Sequence, residues 1–186
     1  MAKVLISLAK TKIVNVVATA SLNQPIDFSK INEFTEITYR PNTYGGRVAY
    51  FKNAEMKGKV SIFFSGKLIS VGTKSEAQSF KELRIAEKFL LQKGLIKHIK
   101  LLPKTQNLVI VADFGKSIAL EELPEKTKAI YEPEQFPGAI LRLEEPFKTS
   151  ILLFASGKAV ITGLKSSGQI EPTIHQLKQI IELNKI

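Results

Sequence analysis

The chain has no cysteine and no tryptophan in 186 residues. The lack of cysteine excludes disulfides, thiolate nucleophiles and cysteine-based zinc sites together. Aspartate occurs only as Asp27 and Asp113, and histidine only as His98 and His175. That is too little for an Asp-rich nuclease centre, and neither histidine has a second ligand at metal spacing. Gly66-Lys67 and Gly157-Lys158 lack both the glycine five residues earlier and the following Ser or Thr of a phosphate loop. No nucleophile, base and orienter form a set, so no catalytic residue, metal or cofactor is expected. Long apolar runs are also missing, since none approaches the roughly 18 residues of a membrane span. The first ten residues are faintly signal-like, but Lys10 and Lys12 break the stretch as it enters a strand-like segment. It is read as mature protein in the cytoplasm.

What is present is a globular composition with 44% hydrophobic residues and a net charge of +10. The length fits one domain or two small ones. Residues 1–93 hold 15 basic and 7 acidic residues, and residues 94–186 hold 12 and 10, so the first half carries most of the excess. A basic surface favours polyanions, nucleic acid first; the plain alternative is a solvated surface with no specific partner.

The chain also says nearly the same thing twice. Ser65-Gly66-Lys67 and Gly72-x-Lys74-Ser75 return 91 residues later as Ser156-Gly157-Lys158 and Gly163-x-Lys165-Ser166. Tyr39-Arg40-Pro41-x-x-Tyr44 returns at an offset of 92 as Tyr131-Glu132-Pro133-x-x-Phe136, and Asn15-Val16-Val17 as Asn107-Leu108-Val109. An offset that holds across half the chain implies a duplicated, domain-sized unit rather than a solenoid repeat. The halves are placed at 1–94 and 95–186. Two such halves suit a partner that is itself pseudo-symmetric, such as a DNA duplex.

Each half reads as β-α-β-β-β-β-α. Alternation in residues 12–22 predicts a strand, and Pro25 opens a short helix over 26–34. Short β runs follow at 36–40, 46–52, 59–64 and 67–72, between turn residues. Ser75 with Gln78 three residues on predicts a capping box for a helix over 76–93, with Phe80, Leu83, Ala86, Phe89 and Leu90 as its apolar stripe. The second half has strands at 106–113, 128–132, 138–144, 149–155 and 158–163, a short helix near 117–123 and a final helix from about Glu171. The fold class expected is α+β: a continuous sheet of about ten strands with four helices on one face. The tight turns make the sheet antiparallel.

These residues resemble the TATA-box-binding protein family in its archaeal form. The resemblance rests on Gln106-Asn107-x-Val109, Tyr131 to Gly138, Arg142, Leu152-Leu153-Phe154-x-Ser156-Gly157-Lys158 and Thr162-Gly163-x-Lys165, and it covers roughly residues 12–186. It implies a pseudo-two-fold saddle whose concave sheet sits in the minor groove of an A·T-rich box. The family is itself a standard example of that mode. The aromatic wedges that unstack base steps map onto Tyr44 and Phe63, and onto Phe136, followed by Pro137, and Phe154. Phe154 alone would read as an ordinary core aromatic; two similarly placed pairs read as wedges. Asn15 and Asn107, with Gln106 beside them, map onto amides that meet base-edge acceptors. Val17, Ile69, Val71, Val109, Leu152, Val160 and Thr162 map onto the apolar floor, which disfavours the guanine amino group. Lys67, Lys74, Arg142, Lys158 and Lys165 map onto phosphate contacts. Glu132, Glu134 and Gln135 map onto the loop that contacts transcription factor B, through which RNA polymerase is positioned.

The first half departs from the pattern. Tyr44 replaces a wedge Phe, Val71 the floor Thr kept as Thr162, Ser61 the apolar residue matching Leu152, and Val14 the Gln kept as Gln106. Tyr50 stands where the counterpart of Arg142 is expected. The wedge spacing is 19 residues from Tyr44 to Phe63 and 18 from Phe136 to Phe154, which implies altered turns between them. The expected role is a non-enzymatic, nucleoid-associated general initiation factor that binds and bends promoter DNA as a monomer. The alternative is a divergent paralogue, acting mainly through protein contacts with weakened DNA recognition. An enzymatic reading, from the use of similar saddles as accessory domains in nucleases and glycosylases, has no visible site to support it.

Overall fold

The computed structural model describes residues 9–183. By their contacts these residues fall into two compact units, Asn15–Gln106 and Asn107–Ile186, the second taking in the segment that precedes Asn15. The reading of the first ten residues rests mostly on Met1–Leu8, which lie outside the described residues.

The Asn15–Gln106 unit uses strands β1 (Lys10–Ser21), β2 (Ile37–Tyr39), β3 (Val48–Phe51), β4 (Lys59–Phe63) and β5 (Lys67–Thr73), in the spatial order β2-β3-β4-β5-β1. All these pairs are antiparallel. Along β1, Val16, Ala18 and Ala20 are buried while Asn15, Val17 and Thr19 are half-exposed, so one face of the sheet makes the core and the other is left open. Helix α1 (Glu76–Gln92) covers the core face with Leu83, Ala86 and Leu90, and Phe80 and Phe89 pack beside them. Phe89 lies 4.7 Å from Phe51, centroid to centroid.

The N-terminus of α1 takes half of the expected capping box. Ser75 Oγ accepts from the Gln78 N–H at 3.2 Å, but the Gln78 side chain donates to Glu82 Oε1 at 2.9 Å instead of returning to Ser75. Glu82 explains the diversion. It is fully buried, and its Oε1 also accepts from the N–H groups of Lys57 (2.8 Å) and Gly58 (3.1 Å), so the carboxylate ties the β3–β4 hairpin to the helix.

The second unit repeats the plan with β6 (Lys104–Asp113), β7 (Gly138–Leu143), β8 (Thr149–Phe154) and β9 (Lys158–Leu164), in the order β6-β9-β8-β7, again antiparallel. Helix α2 (Leu123–Lys126) is a single turn, and α3 (Ile170–Leu183) buries Ile174, Leu177 and Ile181. Ile180, which the sequence pattern puts on the same apolar face, is only half-buried.

Among the described residues nine strands form where about ten were expected. Residues 128–132 make only the Ile130–Ile140 bridge, because the exposed turn at Glu132–Gln135 pulls the chain off the edge of β7. The expected helix over 26–34 shrinks to one 3-10 turn at Ile31–Glu33, and the one near 117–123 is a 3-10 turn, Leu120–Glu122, running into α2. Both segments are too short to form a helix without tertiary support.

Candidate functional site

The open face of each sheet is the candidate site, and the alternation of the strands decides who stands on it. In the second unit Asn107, Val109 and Val111 on β6, Lys158, Val160 and Thr162 on β9, Ser150, Leu152 and Phe154 on β8, and Gly138, Ile140 and Arg142 on β7 share that face. Their neighbours Leu108, Ile110, Ala112, Ala139, Leu141, Ile151, Leu153, Ala159 and Ile161 are all buried. The ladders set Ile140 opposite Leu152 and Leu152 opposite Val160, so the centre of the face is an apolar strip. Arg142 and Lys158 are exposed at its margins, with Lys165 in the turn just beyond β9. Lys158 stands opposite Asp113, where the other unit has Ser21 opposite Lys67, so the acid tempers the charge at this corner.

Asn107 is held by its neighbours. The register of β6 against β9 slips between Leu108 and Ile110, which makes a bulge, and Gly163 in that bulge has φ +103°. Its N–H donates to Asn107 Oδ1 at 2.8 Å. An N–H can meet only the oxygen end of the carboxamide, so the bond fixes which way the amide faces and leaves its two N–H groups for an acceptor. The same device stands in the other unit. A bulge between Val16 and Ala18 contains Gly72 at φ +90°, whose N–H donates to Asn15 Oδ1 at 2.9 Å. Gln106 donates through Nε2 to Thr19 Oγ1 at 2.9 Å.

Phe136 and Phe154 meet edge to face at 5.9 Å between centroids. Gly138 makes room for them: a Cβ there would lie 2.8 Å from Phe136 Cε1 and 3.0 Å from Phe154 Cε1. Tyr44 and Phe63 do not repeat this. Tyr44 is 71% exposed, sits at φ +52° and makes no ring contact with Phe63 among the described residues. Val48, not a glycine, stands opposite Phe63. The cause is a longer turn. Four positions separate Tyr44 from Val48 where two separate Phe136 from Gly138, and the extra residues wind into a 3-10 turn, Tyr44–Gly46, tied by Tyr39 Oη donating to the Gly46 carbonyl at 2.9 Å.

That turn also shifts the register, which corrects the placing of Tyr50. In the ladders Tyr50 stands opposite Ser61, and Ser61 opposite Ile69; this row matches Ile140, Leu152 and Val160. Tyr50 therefore takes the place of Ile140, not of Arg142's counterpart. Arg142 stands opposite Ser150, and Ser150 opposite Thr162. The matching positions are Lys52, one residue past the end of β3, then Lys59 and Val71. Lys59 Nζ lies 4.8 Å from the Tyr50 ring centroid. The first unit thus keeps a cation near Arg142's place and adds a second. Val17, Ile69 and Val71 complete its floor, and Lys67 and Lys74 are exposed.

In the second unit Glu132, Pro133, Glu134 and Gln135 form an exposed turn in which the Glu132 carbonyl accepts from the N–H groups of Gln135 and Phe136, both at 2.9 Å, and Pro137 follows, exposed. Among the described residues no three His, Asp or Glu side chains gather to hold a metal, and no helix is long and apolar enough to cross a membrane.

Sequence reasoning alone missed Gly72, Gly163, Gly138, Lys52 and Lys59. The paired Gly and Asn stand at the repeat offset, which was the available signal for the clamps. Lys52 and Lys59 were hidden by the register shift.

Comparison with known proteins agrees with this architecture. The family model described as "Transcription factor TFIID (or TATA-binding protein, TBP)" matches twice, over residues 10–92 and 102–183. The chain is 36% identical to the TATA-box-binding protein of Cenarchaeum symbiosum over 87% of this chain and 88% of the relative. It is 36% identical to that of Methanosphaera stadtmanae over 92% and 94%. The solved structure of Methanococcus jannaschii TBP superposes with a TM-score of 0.83 at 31% identity, covering 93% of this chain and 98% of that one.

Proposed function

The chain belongs to the TATA-box-binding protein family of general transcription factors, and on that premise we propose that it binds the minor groove of an A·T-rich promoter box, bends it and recruits transcription factor B. The single observation that supports this most is the duplicated asparagine clamp: Gly72 holds the amide oxygen of Asn15 and Gly163 that of Asn107, which leaves the amide donors for another acceptor. In the minor groove an A·T pair shows only acceptors, N3 of adenine and O2 of thymine. Amide donors on the same open face as an apolar floor of Val17, Ile69, Val71, Val109, Leu152, Val160 and Thr162 suit that edge, and Gln106 extends the polar row. Phe136 and Phe154, with Pro137 beside them, wedge a base step open at one end of the box. Lys67, Lys74, Arg142, Lys158 and Lys165 take phosphates, and Glu132, Glu134 and Gln135 form the surface for transcription factor B. RNA polymerase is reached only through that factor. No chemistry on the DNA is involved, and the place of action is the cytoplasm, on the nucleoid.

Equilibrium binding and fluorescence-resolved bending of an A·T-rich duplex across a salt series, with and without transcription factor B, test the reading. Tight, salt-sensitive binding with a bend is expected; weak and equal binding to A·T-rich and G·C-rich duplexes would sink it.

A second reading has one observation in its favour. The Tyr44–Phe63 pair is not assembled, and Val48 fills the slot that a glycine leaves open in the other unit. A divergent paralogue that works mainly through protein contacts would look this way. It would capture transcription factor B in a pulldown while leaving DNA alone unshifted.

A further inference from the structure

The two open faces differ at one cross-strand pair near their centres. In the second unit the pair is Ile140 opposite Leu152; in the first it is Tyr50 opposite Ser61. The next residue along the row is apolar in both, Ile69 and Val160. Ser61 is half-buried in its face. Neither its hydroxyl nor that of Tyr50 has a hydrogen-bond partner among the described residues. The hydroxyls of the second unit stand in the neighbouring row, on Ser150 and Thr162, and that of Thr162 is engaged with the Ser150 carbonyl at 3.4 Å; Lys59 and Val71 take those places in the first unit. Within the row itself the first face therefore has free hydroxyl oxygens where the second has only hydrocarbon.

The difference bears on one chemical group. In the minor groove a G·C pair differs from A·T chiefly by the guanine amino donor. Pressed against Ile140 and Leu152, that donor would be stripped of water with nothing to bond, which costs more than a hydrogen bond is worth. A serine hydroxyl carries acceptor lone pairs and can rotate to offer one. Tyr50 Oη supplies a second.

We propose that Ser61, with Tyr50, lets the Asn15–Gln106 unit accept a G·C pair in the half-box it covers, while the Asn107–Ile186 unit rejects one. The box this chain prefers is then asymmetric in composition, strictly A·T on one side and mixed on the other. This rests on the reading that both faces lie in a minor groove, and the experiment separates the two.

The full chain is titrated against a panel of duplexes in which a single G·C pair is moved through an A·T box. A parallel panel carries inosine·C, which lacks the amino group. Single substitutions in one half-box are expected to weaken binding about tenfold or more and those in the other less than about threefold. Inosine·C should abolish the larger penalty. In Ser61→Leu with Tyr50→Ile, the tolerant half should become as strict as the other. Ser61→Ala, which removes the acceptor without adding bulk, should move in the same direction. Equal penalties in both halves of the box, or an asymmetry unchanged in these variants, overturns the proposal. Failure to bind the all-A·T duplex overturns the groove reading itself and the proposal with it.

Discussion

At the scale of single residues, the proposed function divides the work between the Phe136–Phe154 pair and the cations around it. Gly138 is the space the two rings occupy, so Gly138→Ala drives a methyl group against the ends of both. Ring ends can swing aside, so stability should change by less than about 1 kcal/mol while bending falls sharply. Phe154→Ala should likewise reduce bending more than Lys158→Ala, whereas Lys158→Ala should lower the salt slope by about one unit. Fluorescence-resolved bending and a salt titration on the same samples check both; equal effects from the two substitutions would remove the division between wedge and phosphate contact. The Phe136–Phe154 pair was legible because both rings stand in motifs that carry the family resemblance, whereas the space that Gly138 leaves for them was not. In the first unit the 19-residue spacing signals an altered turn, but not that the turn separates the two rings. Tyr44 keeps its place in the Tyr-x-Pro string, yet the longer turn carries its ring away from Phe63 and sets Val48 in the slot.

At the scale of elements, the bulges in β5 and β9 are where the halves are held most tightly to pattern. Gly163 has φ +103°, and a Cβ on it would lie 2.5 Å from the Lys148 carbonyl oxygen, a backbone atom that cannot step aside. Gly72 has φ +90° but meets only Gly58 Cα, at 3.3 Å. Gly163→Ala should cost about 2–3 kcal/mol and Gly72→Ala about 1 kcal/mol, as backbone strain with and without a collision. Urea unfolding of the two variants tests the order. The long elements were readable from periodicity: α1 runs Glu76–Gln92 against an expected 76–93, and the strands agree to within a few residues. Three short segments were not. Residues 26–34 and 117–123 owe their shape to packing rather than to local preference, and residues 128–132 lose their strand to the exposed turn that follows. The capping box forms only in half for a tertiary reason too, since the side chain of Gln78 is drawn to the buried Glu82.

At the scale of the whole molecule, charge sets affinity. The five proposed phosphate contacts, at Lys67, Lys74, Arg142, Lys158 and Lys165, predict that log K falls against log salt with a slope of about −4.5. If Lys52 and Lys59 also reach phosphates, as their ladder positions beside Arg142's place suggest, the slope steepens to about −6. Lys52→Ala with Lys59→Ala then returns it to the lower figure; a slope unmoved by the pair would confine their role to the free protein. The first half's larger positive excess was plain from the sequence, but which lysines face outward from the open sheet was not, because that depends on the ladder register. The duplicated asparagine clamp has a consequence that reaches across both units. Side-chain ordering is normally part of the cost of binding, since a free carboxamide samples several rotamers and two flips before it settles on a ligand. Here Asn15 and Asn107 are already ordered when the chain folds, each fixed by a glycine N–H. Their contribution to the proposed DNA affinity is therefore preorganised: the entropy is lost once, during folding, and each amide meets an acceptor already ordered.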